Sequence, residues 1–154
     1  MSSLNALTVA VEVASRKRDE ARRLLQDAQG AQRAAQDQLD QLQGYARETE
    51  GRWGMRADAA VQPEVMFHHY QFMDRLGHAV GLQNGVVADH AGRVQAATRA
   101  LLDAELRLAS LRKVVEKRQH DQQRQQMRRE QKQTDERASL QIRNAINGPQ
   151  GQEY

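Results

Sequence analysis

The best candidates for catalytic or metal-binding side chains are the five histidines, because imidazole binds zinc and transfers protons near neutral pH. None of them stands in a His-Glu-x-x-His or other zinc spacing, and the chain has no cysteine, no glycine-rich phosphate loop and no nucleophile elbow. The sequence therefore predicts no catalytic residue, no metal site, no cofactor and no enzymatic activity. We interpret the histidines as surface or seam residues: His68, His69, His78, His90 and His120.

Positive charge is concentrated in one segment. The net charge is only +3, but residues 112–132 hold eight Arg or Lys against three acids, which gives this segment a charge of +5. DNA-binding proteins of the basic leucine-zipper type hold two basic helices together by a parallel coiled coil. The apolar pattern described below instead predicts antiparallel helices. Gln119 to Lys132 has only Met127 as a bulky apolar side chain, which is too little for membrane-surface binding. We therefore expect neither nucleic acid nor membrane insertion.

The first element expected to position these residues is a long helix with an apolar stripe. Twelve of fifteen positions, stepping alternately by three and four residues, are apolar. An apolar stripe with a strict 3.5-residue period stays in contact with a partner helix only if the two helices supercoil around each other. The pattern therefore predicts a coiled-coil helix over about residues 3–55, with the stripe Leu4, Leu7, Val11, Ala14, Arg18, Ala21, Leu25, Ala28, Gln32, Ala35, Leu39, Leu42, Ala46, Thr49 and Trp53.

A second stripe of thirteen positions follows, with only Gln83 and His90 polar. Between the stripes Gly54 ends the first, and Pro63 suits the first turn of a new helix. The reversal is placed at about 56–62 and the second helix at about 63–140. Its stripe is Met73, Leu76, Val80, Gln83, Val87, His90, Val94, Ala97, Leu101, Ala104, Leu108, Leu111 and Val115.

The two stripes predict an all-α fold, a long two-helix antiparallel coiled-coil hairpin over residues 1–154. A short connection makes neighbouring helices antiparallel, and Leu4 then faces Val115 while Trp53 faces Met66 without a register slip. Two Phe, three Tyr and one Trp are too few for a large globular core. In the middle, where Ala35 faces Gln83, large apolar side chains are missing, so we expect weak packing there. A functional hinge and simple sequence drift are both compatible with it.

Past Val115 the apolar pattern stops, although no Gly or Pro interrupts Glu116 to Arg137. We expect the helix to continue alone, because these residues are mostly helix formers. An isolated polar helix of this length is marginal in water, so residues 118–140 are expected to fray until a partner binds. The alternative is a solvated Gln-rich tail. A disordered terminus is expected at about 144–154, because Gly148 and Pro149 end a helix.

Near the end of the predicted second helix, Glu130-Gln131-Lys132 is followed by Asp135-Glu136. With this block as the most specific part, the chain resembles the FliJ family, the soluble coiled-coil component of the bacterial flagellar type III export apparatus. The resemblance implies a hairpin similar to the coiled coil of the F-type ATPase gamma subunit. It also implies three partners: the hexameric flagellar export ATPase, the cytoplasmic domain of the membrane export gate, and unladen export chaperones.

The resemblance further implies which residues bind. The gate-binding surface is similar to Gln38, Leu42, Tyr45, Phe72, Leu76 and Ala79, with Thr49 and Gln83 departing from the family pattern. In heptad terms four of these six side chains converge on one flank, over the Leu42–Leu76 layer, and leave two aromatics exposed. The alternative is that Tyr45 and Phe72 merely shield the seam.

The ATPase is expected to bind the end of the hairpin that holds both chain termini, through Leu4, Leu7, Arg124, Arg128, Arg129 and Lys132. The expected location is the cytoplasm, peripherally at the inner face of the cell membrane at the flagellar base. The absence of cysteine fits a reducing compartment. The alternative function is a coiled-coil chaperone or structural adaptor of a related, injectisome-type secretion system.

Overall fold

Two long helices make up the structure, a computed structural model that describes residues 2–56 and 62–148. Helix α1 spans Ser2–Arg56 and helix α2 spans Pro63–Asn147, and the described residues contain no strand. The antiparallel helical hairpin predicted from the two stripes is therefore confirmed. Most of the predicted reversal, residues 57–61, lies outside the described residues.

Helix α2 begins where the sequence predicts and ends later. The carbonyl of Gln62 accepts hydrogen bonds from the N–H groups of Val65 and Met66, both at 3.1 Å, so Pro63 occupies the first helical position, where its missing N–H has no cost. The predicted disordered terminus starts too early, because residues 144–147 are helical. No Gly or Pro precedes Gly148, whose N–H bonds the Asn144 carbonyl at 2.7 Å. Residues 149–154 lie outside the described residues.

Packing divides the chain into two compact units, and each is described by itself. One unit comprises Ala14–Arg107, and the other comprises Met1–Val13 with Leu108–Tyr154. Both helices contribute to both units. The prediction of one domain over residues 1–154 stays a prediction.

Within the unit Ala14–Arg107 the helices run antiparallel in the predicted register. Four contacts establish the direction, since α2 numbers rise as α1 numbers fall: Trp53 with His69, Tyr45 with Phe72, Ala35 with Gln83, and Arg22 with Glu105. Trp53 stacks on His69 at 4.1 Å between ring centroids, one turn from its predicted partner Met66. The buried Nδ1 of His69 has no hydrogen-bond partner, so stacking holds this ring.

In the unit of the chain termini, α1 and α2 again lie side by side. Thr8 and Val11 of α1 line one shallow groove together with Arg112, Val115 and Glu116 of α2. Leu108 is buried, and Leu4, Leu7, Leu111 and Val115 are half-buried. From Glu116 to Gly148 every residue is exposed, so α2 continues without a partner among the described residues.

Burial follows the two predicted stripes closely. All fifteen positions of the first and all thirteen of the second are buried or half-buried, while nearly all intervening positions are exposed. In the middle of the seam Ala35 and Leu39 are buried, while Gln32, Val87 and His90 are half-buried, so the predicted weak packing stays a prediction. At this level the Gln83 side chain donates a hydrogen bond to the Ala35 carbonyl of the other helix.

Candidate binding surfaces

The aromatic patch consists of the six residues predicted to contact the export gate: Gln38, Leu42, Tyr45, Phe72, Leu76 and Ala79. All six belong to the unit Ala14–Arg107, three from each helix. Heptad positions bring them together, because positions flanking the seam on the same side of two antiparallel helices become neighbours. The heptad pattern thus predicts four of the six on one flank, over Leu42 and Leu76 in the seam, and the contact between the Tyr45 and Phe72 rings shows that the two helices meet on this flank.

Tyr45 and Phe72 form the centre of the aromatic patch. Their rings meet edge to face, with centroids 6.0 Å apart and planes at 85°. This geometry is favourable, since the positive edge of one ring meets the negative face of the other. Yet Tyr45 keeps 51% and Phe72 keeps 42% of its surface exposed. The pair is thus pre-positioned and still accessible, which is what an anchor at a protein interface requires.

Beneath the two rings lies the apolar layer that the sequence predicts. Leu76 is buried, and Leu42 and Ala79 are half-buried. Thr49, one turn from Tyr45, is half-buried in the seam. Because this layer is covered, Tyr45 and Phe72 have little room to move towards the seam. Binding a partner should therefore cost little conformational entropy of these two side chains.

Gln38 is held at the edge of the patch by Gln83. The Gln83 side-chain amide donates one hydrogen bond to the Ala35 carbonyl at 2.9 Å and one to Gln38 Oε1 at 3.2 Å. Both amide hydrogens are thereby used. Gln38 leaves its own amide group as a donor at the patch boundary, where it can orient a partner's carbonyl.

The second predicted surface lies on the basic arm, defined as residues 116–147 of α2. Arg124, Arg128 and Lys132 are spaced by four residues and share one face, with Arg129 beside them, and all four are exposed. Like charges four residues apart repel by a few tenths of a kcal/mol. An acidic partner would relieve this repulsion, so the arm is suited to a carboxylate-rich surface.

The predicted placement of the four basic residues beside Leu4 and Leu7 stays a prediction, and both sets belong to the same unit. The two leucines are half-buried, and the groove at Thr8 and Val11 shows α1 packed at the level of Val115. At 1.5 Å per residue, Arg124 stands about 13 Å and Lys132 about 25 Å beyond Val115 along α2. A partner that binds both sets therefore has to follow the helix over several turns.

Sequence reasoning missed several exposed apolar residues that lie outside the stripes. On the basic arm, Leu140, Ile142 and Ile146 are more than half exposed. On the unit Ala14–Arg107, Leu24, Leu82 and Val86 are also exposed. Their four-residue spacings, Ile142 to Ile146 and Leu82 to Val86, are visible in the sequence, but only the burial of the neighbouring stripe shows that they face outward.

Two other kinds of site are not seen in the part of the chain that the structure describes. No group of three His, Asp or Glu side chains is arranged to hold a metal ion among residues 2–56 and 62–148. Within the same residues, neither helix contains a stretch both long and apolar enough to span a membrane.

Comparisons with known proteins agree with the hairpin. No curated protein matches the chain. Among solved structures, a putative YscO homolog from Chlamydia trachomatis superimposes with a TM-score of 0.80, covering 100% of this chain and 96% of the other, at 18% sequence identity. At this identity the likeness shows the fold alone. The family model described as Flagellar FliJ protein matches residues 3–147, so the chain belongs to this family and is a component associated with type III secretion.

Proposed function

We propose that the protein is a non-enzymatic component of the flagellar export apparatus that couples the export ATPase to the membrane export gate. The observation that carries the proposal is the presence of two exposed surfaces of different chemistry, one in each unit. The aromatic patch offers apolar anchors, and the basic arm offers a row of cations. A protein with two unlike binding surfaces and a packed helical seam between its helices is suited to joining two partners.

The aromatic patch is the proposed contact for the cytoplasmic domain of the gate. Exposed aromatic residues in a packed setting dominate many protein interfaces. The edge-to-face contact of Tyr45 with Phe72 supports this role, because it fixes both rings before binding. The alternative role, shielding of the seam, is less well supported by the 51% exposure of Tyr45.

The basic arm is the proposed contact for the ATPase, together with Leu4 and Leu7. Its support is that α2 extends about thirty residues past Val115 with every side chain exposed. Charges on such a helix speed association and orient the partner. Unladen export chaperones are further proposed partners, and a peripheral position at the inner face of the membrane follows from the proposed gate contact.

Truncation tests the ATPase contact. Removing residues 118–154 leaves every buried position of both helices in place, so the shortened chain should stay helical. Copurification with the export ATPase and stimulation of its activity should then be lost. If the shortened chain binds and stimulates the ATPase as the full chain does, the arm is only a solvated extension and does not contact the ATPase. A matched control replaces Leu102, which is exposed on the other unit, by Ser.

A related injectisome-type adaptor remains the second candidate, since the putative YscO homolog shares the fold. The two candidates differ in their partners. Flagellar genes beside the coding sequence, and copurification with a flagellar rather than an injectisome ATPase, would favour the flagellar function.

A further inference from the structure

The flank that carries the aromatic patch continues as a second apolar groove, defined by Leu24 and Ala31 of α1 and Leu82 and Val86 of α2. The contact of Tyr45 with Phe72 shows which positions of the two helices lie side by side on this flank. Stepping by one heptad in opposite directions places Gln38 beside Ala79 and then Ala31 beside Val86. Leu82 lies one helical turn from Val86, and Leu24 one heptad from Ala31.

The internal seam leaves the three larger side chains of this groove exposed. Leu24 is 52%, Leu82 63% and Val86 40% exposed, while Ala31 is half-buried between the helices. The opposite flank differs sharply in composition, with polar residues at nearly all of the equivalent positions: Arg22, Gln29, Gln36, Gln43, Asn84, Thr98 and Glu105. Along the groove, apolar surface is therefore concentrated on one flank, while the exposed Phe67, Tyr70 and Leu102 lie elsewhere on the unit. Such a one-sided apolar stretch marks an interaction surface.

Acidic side chains border the groove on both sides. Asp27 lies one turn from Leu24 on α1, and Asp89 lies one turn from Val86 on α2, and both are exposed. The nearest α1 cation, Arg23, pairs with Glu20 at 2.7 Å; this hydrogen bond, and more weakly the charge of Asp27, raise the pKa of the guanidinium. On α2, Arg93 lies one turn from Asp89 at the end of the groove. Among the described residues neither Asp27 nor Asp89 forms an ion pair with it or with another cation, so both carboxylates can receive cations from a partner.

The dimensions of the groove suit one helix. From Leu82 to Arg93, which lies at the level of Leu24, the groove runs for about 16 Å, or three helical turns. We infer that this second groove binds a single amphipathic helix of another protein, with an apolar stripe on Ala31, Leu82 and Val86 and Lys or Arg on both edges opposite Asp27 and Asp89. The inference does not depend on the proposed coupling of ATPase and gate.

A second copy of this chain could also occupy the groove, but the charges beside the groove disfavour such a dimer. Asp27 and Asp89 stand at the same level of the groove, because the register that pairs Ala31 with Val86 also brings these two together. Two copies related by a two-fold axis across the groove would therefore place four carboxylates close together. Like charges in such an interface cost free energy instead of orienting the partner.

A designed helix provides the probe. It is a fluorescein-labelled peptide of three heptads with leucine at the seam positions and lysine at the flanking positions, and its control carries glutamate in place of each lysine. Binding to the full chain is measured by fluorescence anisotropy at two salt concentrations. The variants are Leu82→Ser with Val86→Ser, Asp27→Asn with Asp89→Asn, and, as a matched control, Leu102→Ser on another face.

The lysine helix should bind the natural chain, and the leucine-valine double variant should weaken binding about ten-fold, since it removes apolar contacts at the centre of the interface. The double asparagine variant should weaken binding and reduce its salt dependence. Leu102→Ser should bind like the natural chain. The inference is overturned if the leucine-valine variant binds unchanged, if the glutamate helix binds equally well, or if sedimentation shows a dimer that this variant abolishes.

Discussion

Gln83 shows, at the scale of single residues, how a polar side chain can strengthen an apolar seam. It occupies a position that leucine or alanine fills in most other heptads of the same stripe. Its amide donates to the Ala35 carbonyl of the other helix and to Gln38, so no donor of that amide is left without an acceptor. A polar residue with fixed partners across a coiled coil also favours one register over the alternatives.

Replacing Gln83 with Ala should lower the free energy of unfolding by about 1 kcal/mol, because interhelical hydrogen bonds are lost. Gln83→Leu should be more stable than Gln83→Ala, since it restores apolar contact in the seam. Thermal or urea unfolding followed by circular dichroism measures both. Asn84→Ala, at the next and exposed position, is the control, and equal destabilisation by it would refute a specific role for Gln83.

Tyr45→Ala combined with Phe72→Ala should weaken binding of the gate's cytoplasmic domain by roughly 2 kcal/mol or more, about thirty-fold. Helix content should hardly change, because both rings are about half exposed and the Leu76 layer beneath them remains. Calorimetric titration of the purified domain gives the affinity. If a folded double variant binds the gate as tightly as the natural chain does, Tyr45 and Phe72 only shield the seam.

At the scale of the helices, the apolar period predicts most of the fold. Two stripes with a 3.5-residue period require two helices that face each other, and every stripe position is indeed buried or half-buried. The sequence predicts the end of α2 at about residue 140, which is too early. No apolar stripe continues into residues 141–147, but no Gly or Pro interrupts the helix there either. Exposed residues such as Leu82 were missed, since composition does not tell which apolar residues face outward. The roles of the surfaces depend on partners and cannot be read from one chain.

The basic arm should be the least stable part of α2 in the isolated protein. An unpartnered helix of about thirty residues receives no stabilisation from packing. Amide hydrogen exchange should therefore be much faster over residues 118–147 than over residues 76–111, where the stripe is covered. Addition of the export ATPase should slow exchange in the arm alone. Equal protection of both segments without a partner would contradict this account of the arm.

At the scale of the whole molecule, membership of the flagellar FliJ protein family and the two surfaces lead to one central claim. This claim is the proposed function, that the chain joins two proteins without performing chemistry itself. Its described residues provide a packed helical seam, an aromatic pair on one unit and an unpartnered basic helix on the other. If this claim is right, loss of one surface should leave the contact made by the other unchanged.

A bridging assay tests this claim most directly. The gate's cytoplasmic domain is immobilised, the export ATPase is added, and the amount of ATPase retained is measured with and without this chain. Retention should rise strongly when the full chain is present. It should fall to the background level with Tyr45→Ala/Phe72→Ala, which still binds the ATPase, and with the chain lacking residues 118–154, which still binds the gate. Retention that does not depend on the chain, or that either variant supports normally, would contradict the coupling function.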